Sequence, residues 1–140
     1  MLSIHDNDVY AFSCDCVKRR IILHTSYDAR GVRELTDIIF SDVLAHSFEH
    51  VLQRNILFDV REVASDTIID EHRETFDESW TYGWPIANVE YRGNLEYLKT
   101  WLHEQSFRAF TIDSSLGLSG WVLAKKYDFV IRDTPFPIGG

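Results

Sequence analysis

The chain has 140 residues, 45% hydrophobic and 26% charged, with a formal net charge of −8. That length suits one domain, and apolar residues spread along it exclude a disordered chain and leave no need for disulfide or metal staples. The acidic balance argues against sequence-independent nucleic-acid binding, which needs clustered Lys and Arg, and against adhesion to an anionic membrane. It favours encounter with a basic partner.

The first ten residues carry Asp6 and Asp8 and lack the basic and apolar regions of a signal peptide. No apolar run reaches the roughly 18–20 residues of a membrane helix. Cys14 and Cys16 are the two cysteines. Free thiols suit a reducing cytoplasm, and a Cys-x-Cys pair is two ligands short of a zinc site. Both read as core or strand filler. No metal or cofactor is expected.

In chain order, Tyr10, Phe12, Cys14 and Cys16 alternate with Ala11, Ser13 and Asp15, then Ile21, Leu23 and Thr25 alternate with Ile22 and His24 after Lys18-Arg19. This predicts a hairpin with one buried face. Residues 27–33 read as a polar connection containing Gly31, and residues 36–40 (Thr-Asp-Ile-Ile-Phe) as a strand. Ser41-Asp42 signals a turn. Residues 43–52 fit a strand or a helical face, with the strand preferred. Residues 53–55 break the chain before a strand at 56–63. The period then changes. Ser65 or Asp66 can cap a helix on which Ile68, Ile69, His72, Phe76 and Trp80 form an apolar stripe. Residues 82–85 stop it. Asn94 caps a second helix with Leu95, Leu98 and Leu102 inward. Residues 107–112 and 121–131 read as strands, joined by a flexible connection at 114–120.

The expected fold is α+β: a mainly antiparallel, curved sheet of six to seven strands with two helices on one face, in the order ββββ(β)ααββ. Residues 1–133 form one domain and 134–140 a flexible tail.

Motifs for chemistry are sparse. Gly117 to Gly120 precede a strand, so they suit a hairpin rather than a phosphate loop. His46 and His50 have metal-ligand spacing, but Glu49 is not placed as in a metalloprotease; a polar strand surface is the plainer reading. Asp113, Ser114 and Ser115 lack a nucleophile elbow. His72 suits a hydrogen-bonded core position. The expectation is therefore a binding protein, not an enzyme. Asp70, Glu71, Glu74, Asp77 and Glu78 crowd the outer face of the first helix, either as a solvated surface or as a docking surface. Trp80, Tyr82, Trp84 and Tyr91 suit core packing or a contact patch, because Trp and Tyr combine large area with a polar handle.

Residues 36–40, the run 45–50 leading into Asn55-Ile56-Leu57-Phe58-Asp59, and Ser114-Ser115-Leu116-Gly117-Leu118-Ser119-Gly120-Trp121-Val122-Leu123-Ala124 resemble small bacterial proteins akin to the immunity proteins of polymorphic toxin systems. The resemblance spans most of residues 10–130, on structural rather than catalytic motifs. It implies a cytoplasmic protein that binds a cognate toxin domain, a basic nuclease domain among the candidates, and caps its active site. Asp70, Glu71, Glu74, Asp77, Glu78, Trp80, Tyr82 and Trp84 would then meet the partner. The alternative is a small-ligand-binding domain with a pocket between sheet and helices.

Overall fold

A computed structural model describes residues 4–29, 31–87 and 91–135. Its elements are β1 (Asp8–Asp15), β2 (Arg20–Ala29), β3 (Val32–Ser41), β4 (Ala45–Glu49), β5 (Ile56–Val63), α1 (Ser65–Glu71), α2 (Arg73–Ser79), a 3-10 turn (Trp80–Tyr82), α3 (Leu95–Glu104), β6 (Arg108–Leu116), β7 (Ser119–Ala124) and β8 (Lys126–Arg132). The class is α+β, with eight strands and three α-helices among the described residues, against the expected six to seven strands and two helices.

All strand pairs are antiparallel, in the order β4-β7-β6-β5-β1-β2-β3-β8. The two ends of that order are joined in sequence. β3 runs into β4 past Asp42, whose φ is 54°, and β7 runs into β8 past Lys125. The two bent strands form one ladder, bridged at the bend by Leu44 N–H to Leu123 C=O (2.8 Å) and Lys125 N–H to Ser41 C=O (3.2 Å). The sheet therefore curls back on itself. β1 and β5 pair over a short stretch, where Val9 N–H donates to Asn55 C=O at 2.7 Å and Leu57 N–H to Asn7 C=O at 2.9 Å.

Curling encloses one apolar core built by β1, β2, β3, β5, β6, β7 and β8. Phe40 on β3 and Phe110 on β6, which are not neighbours in the sheet, have ring centroids 5.4 Å apart, and Tyr127 stacks on Phe40 and lies tilted against Phe110. A second core lies outside the curl. Ile68 and Ile69 of α1, Phe76 of α2 and Leu95, Leu98 and Leu102 of α3 cover Ala45, Ala109, Trp121 and Leu123. Alternation explains the two cores. Along β7, Trp121 and Leu123 face the helices while Val122 and Ala124 face inward, so the strand is buried on both sides.

Several expectations need correction. The first helix is kinked rather than continuous. His72 leaves helical geometry (φ −117°, ψ 33°), although His72 N–H still reaches Ile68 C=O and Phe76 N–H reaches His72 C=O. Its N-cap is Ala64, with no side-chain cap bond, rather than Ser65 or Asp66. The connection expected at 114–120 shrinks to Gly117 and Leu118, because β6 and β7 extend into it. The connection expected at 27–33 is mostly ladder, with Tyr27 opposite Glu34 and Asp28 opposite Arg33. In both cases polar residues lie on open strand ends, where backbone pairing rather than side-chain burial sets the conformation. Of the expected tail, residues 136–140 lie outside the described residues.

The second helix matches its expectation. The Asn94 side chain accepts from Tyr97 N–H at 3.1 Å, and Leu95, Leu98 and Leu102 are buried. Among the described residues no helix is long and apolar enough to cross a membrane.

Candidate functional site

α1 and α2 lie across the outer face of the sheet, and their solvent side carries the acids. Asp70, Glu71, Glu74, Asp77 and Glu78 are all exposed. Asp70 differs from the rest. Lys99 Nζ sits 2.7 Å from its carboxylate and Arg73 Nη2 2.9 Å from it. The Lys99 hydrogen bond, with Arg73 adding, holds the Asp70 carboxyl below the usual carboxylate range. Glu71, Glu74, Asp77 and Glu78 form no ion pair among the described residues. Arg73, which sits among them, is engaged with Asp70. Tyr91 is pushed up to about 12 by burial, with the charge of Asp77 adding.

The aromatic group divides. Trp80 and Trp84 are half-buried against the helix-layer core, Trp84 with its ring 5.0 Å from that of Phe76 and 6.1 Å from that of Trp121. Tyr91 is buried and donates its hydroxyl to Phe76 C=O at 2.7 Å. Tyr82 alone stands clear, 89% exposed, at the end of the 3-10 turn that follows Glu78.

The kink at His72 opens a groove of about 240 Å³ between the helices and the ends of β4, β6 and β7. Glu49, Glu71, His72, Thr111 and Asp113 line it, over Trp121. Glu71 and His72 also border a shallow hollow on the far side of the kink, shared with Asp70 and Glu74. Acidic side chains thus lie on both sides of the kink, with Arg73 among them. Asp113 accepts from Arg61 Nε at 2.9 Å, while the buried Thr111 hydroxyl has no partner among the described residues. His72 is half-buried, with its ring 5.7 Å from that of Trp121.

The space between helices and sheet, expected to hold a small ligand in the alternative reading, is occupied by Ile69, Phe76, Leu98, Leu102 and Trp121. Another open hollow, about 350 Å³, lies elsewhere, between the β1–β2 turn and the start of β4. Cys14, Cys16, Arg20, His46 and Trp84 line it. Both cysteines are exposed, which corrects their reading as core filler. Cys14 lies in β1 one residue before its end, whereas Cys16 opens the turn, so strand alternation no longer governs the Cys16 side chain. Burial pushes the Cys14 thiol up, with the Cys16 thiol and Asp15 adding. Burial also lowers the His46 pKa.

His46 and His50 do not act together. His46 lies on β4 with its ring 5.1 Å from that of Phe48, while His50 follows the strand in left-handed backbone (φ 60°) near Ser119. Ser114 donates its hydroxyl to Leu118 C=O. Among the described residues no three His, Cys, Asp or Glu side chains gather as metal ligands.

One polar group escaped the sequence. His24 and Asp37, buried at 1% and 6% exposure, face each other in the β2–β3 register, with His24 Nδ1 2.7 Å from Asp37 Oδ1. Arg132 Nη1 donates to Asp37 Oδ2 at 3.1 Å. The polar–apolar alternation on both strands marked a face but could not announce that this face is covered. Comparison with protein-family models, with curated proteins and with solved structures returned no match for this chain.

Proposed function

We propose that this protein is an immunity protein, acting in the cytoplasm by contact rather than catalysis, which binds a cognate bacterial toxin domain and caps its active site. The single observation that carries the reading is the acidic surface across the helix kink. Four carboxylates there, Glu71, Glu74, Asp77 and Glu78, form no ion pair among the described residues. Unpaired surface charge of one sign stabilises nothing locally, and its use lies in steering a partner of opposite sign. A basic nuclease domain is a partner of that chemistry. Tyr82 supplies what the acids lack, an exposed aromatic that can desolvate on contact and hold the complex. Trp80 and Trp84, packed on the core beneath, stiffen the platform that presents it.

The test is co-expression with toxin domains encoded beside this gene, scoring growth, followed by binding kinetics with the partner that is neutralised. Converting Glu71, Glu74 and Glu78 to Gln and Asp77 to Asn halves the net charge of −8. Association at low ionic strength should slow by about tenfold and lose most of its salt dependence. Tyr82→Ala should instead speed dissociation. Unchanged kinetics in both variants would reject this face as the docking surface. Absence of growth rescue by any neighbouring product would reject the immunity reading.

A further inference from the structure

β8 ends the sheet order and has one ladder partner, β3, among the described residues. An edge strand presents N–H and C=O groups to any strand that approaches it. No charge or proline interrupts this one between Phe129 and Ile131, and Val130 and Ile131 are 45% and 69% exposed. We propose that the β8 edge pairs with the same edge of a second copy of the chain, antiparallel and with Val130 opposite Val130, joining two curled sheets into a symmetric dimer.

Charge complementarity selects the occupant and the register. A two-fold axis perpendicular to the sheet maps the edge onto itself, so the residue on the axis fixes every other pair. With Val130 there, Asp128 of each copy faces Arg132 of the other, and Phe129 faces Ile131. An axis at Phe129 would oppose Lys126 to Arg132, and one at Asp128 would oppose that carboxylate to itself. An axis at Ile131 would set Phe129 against Asp133 and Val130 against Arg132. An axis at Tyr127 would run Val130 and Ile131 against β7, both of whose edges are already taken by β4 and β6. The strand is its own complement in one register.

The side chains that meet are already placed. Alternation puts Lys126, Asp128, Val130 and Arg132 on one face of the strand. Phe129 N–H donates to Asp128 Oδ1 at 2.8 Å, which fixes that carboxylate beside the strand. Arg132 Nη1 donates to Asp37 Oδ2 at 3.1 Å and its Nε to Thr134 C=O at 3.2 Å, which hold the guanidinium. A guanidinium has five donors, so Asp128 of the second copy adds to these bonds. On the other face, Phe129 packs half-buried on the inner core, and pairing lays it over the exposed Ile131 of the second copy. Two chains of net charge −8 repel, but β8 itself carries two bases, Lys126 and Arg132, and one acid, Asp128, so this edge adds nothing to the repulsion. The pairing draws on neither the acids nor Tyr82 of the docking face, and it stands whether or not a toxin is the partner there.

Sedimentation equilibrium of the full chain, from about 1 μM to about 1 mM, reads the mass. The expected result is a rise from 16.3 kDa toward twice that value. Asp128→Arg sets two guanidinium groups against each other at both ends of the pairing and should raise the dissociation constant by about tenfold. Ile131→Lys should weaken the dimer likewise while its far-ultraviolet circular dichroism stays that of the unaltered chain. The register has its own check, made with both native cysteines replaced by Ser. Val130→Cys should give a disulfide-linked dimer on mild oxidation. Asp128→Cys should not, because the two 128 positions lie four residues apart along the paired strands, about 13 Å, beyond the reach of a disulfide. A mass that stays at 16.3 kDa at every concentration would overturn self-pairing and leave the edge to a strand of another protein. A dimer indifferent to both Asp128→Arg and Ile131→Lys would place the interface elsewhere, and linkage through Asp128→Cys as ready as through Val130→Cys would overturn the register.

Discussion

Asn55 is where three separate parts of the fold are tied by one side chain, so its removal is the sharpest test of the architecture. The residue is 4% exposed. Its Oδ1 accepts from Leu52 N–H at 2.9 Å and from Leu118 N–H at 2.8 Å. Its Nδ2 donates to Leu52 C=O at 2.9 Å and to Val9 C=O at 3.3 Å. These bonds join the loop before β5, the β6–β7 hairpin and β1, at the short β1–β5 seam where the curled sheet is held by few ladder bonds. Gly117 packs so closely that a Cβ there would lie 2.3 Å from Asn55 Oδ1. Asn55→Ala leaves Leu118 N–H without its partner and weakens the satisfaction of Val9 C=O, both in buried residues. Each orphaned buried group costs about 1–3 kcal/mol, so the two together cost about 2–5 kcal/mol. Leu52 is exposed, and water replaces its bonds. A domain of this size has about 5–15 kcal/mol of stability in all.

Urea unfolding is the assay. With a slope of about 2 kcal/mol per molar, the midpoint should fall by about 1–2.5 M at unchanged slope. Asn55→Asp separates hydrogen bonding from packing. It keeps the acceptor and the volume but turns an oxygen toward the carbonyls of Val9 and Leu52. At neutral pH it should be at least as destabilising as the alanine variant, and it should recover part of the loss as pH falls and a carboxyl proton restores a donor. A loss below about 1 kcal/mol in Asn55→Ala, or no recovery in acid for Asn55→Asp, would refute the view that this side chain closes the curl.

Gly120→Ala should be worse than an ordinary surface change, because a Cβ there meets the Ser47 carbonyl oxygen of β4 at 1.9 Å, and backbone cannot yield cheaply; the check is loss of soluble expression or a steep drop in thermal midpoint, with Gly31→Ala, where nothing lies within 4 Å, as the comparison for left-handed strain alone. Tyr91→Phe removes the buried bond to Phe76 C=O and should cost about 1–2 kcal/mol in the same urea assay. The tyrosines also fix an alkaline limit. Tyr91 is raised from 10.0 to about 12 in the fold, and Tyr127 is raised further by burial, with Asp59 adding. A folded pKa above the unfolded value gives stability that is complete below pH 10 and is lost as pH rises through the folded value. Unfolding free energy should therefore be flat up to about pH 10 and then decline, with an ultraviolet titration component near 12 that vanishes in Tyr91→Phe.

Local signals were legible where one residue type answered one need. Asn94, Leu95, Leu98 and Leu102 gave the last helix its cap and stripe, and the strand at 56–63 matches β5 to the residue. What stayed hidden depends on distant contacts. The break at residues 53–55 was visible, but the bonds from Asn55 to Val9 and Leu118 span 46 and 63 positions and leave no local mark. The kink at His72 was masked because Ile68, His72 and Phe76 keep helical spacing through it. Cys16 looked buried because alternation was extended past Asp15 into a turn, whereas Cys14 is exposed although it lies within β1. On the candidate surface, the acids were legible as an exposed face, since charge at helical spacing opposite an apolar stripe has few other fates. Which of them are free was not, because Lys99, which neutralises Asp70, comes from α3.

That last distinction assigns separate tasks to the two cores. The curled sheet is buried within itself, and its seams are closed by specific bonds such as those of Asn55, so little of it can change without loss of stability. The helix layer needs only one apolar side to hold α1, α2 and α3 on the sheet. Its solvent side is free to vary in charge at little cost, because exposed ion pairs contribute only about 0–1 kcal/mol. A protein that must match one partner surface is best served by such a layer, in which Glu71, Glu74, Asp77, Glu78 and Tyr82 can be altered without disturbing Ile68, Phe76 or Leu102 beneath them. The neutralising substitutions proposed for the docking face should accordingly leave the urea midpoint nearly unchanged while they change association, and a large loss of stability in that variant would mean that the acids serve the fold and not a partner.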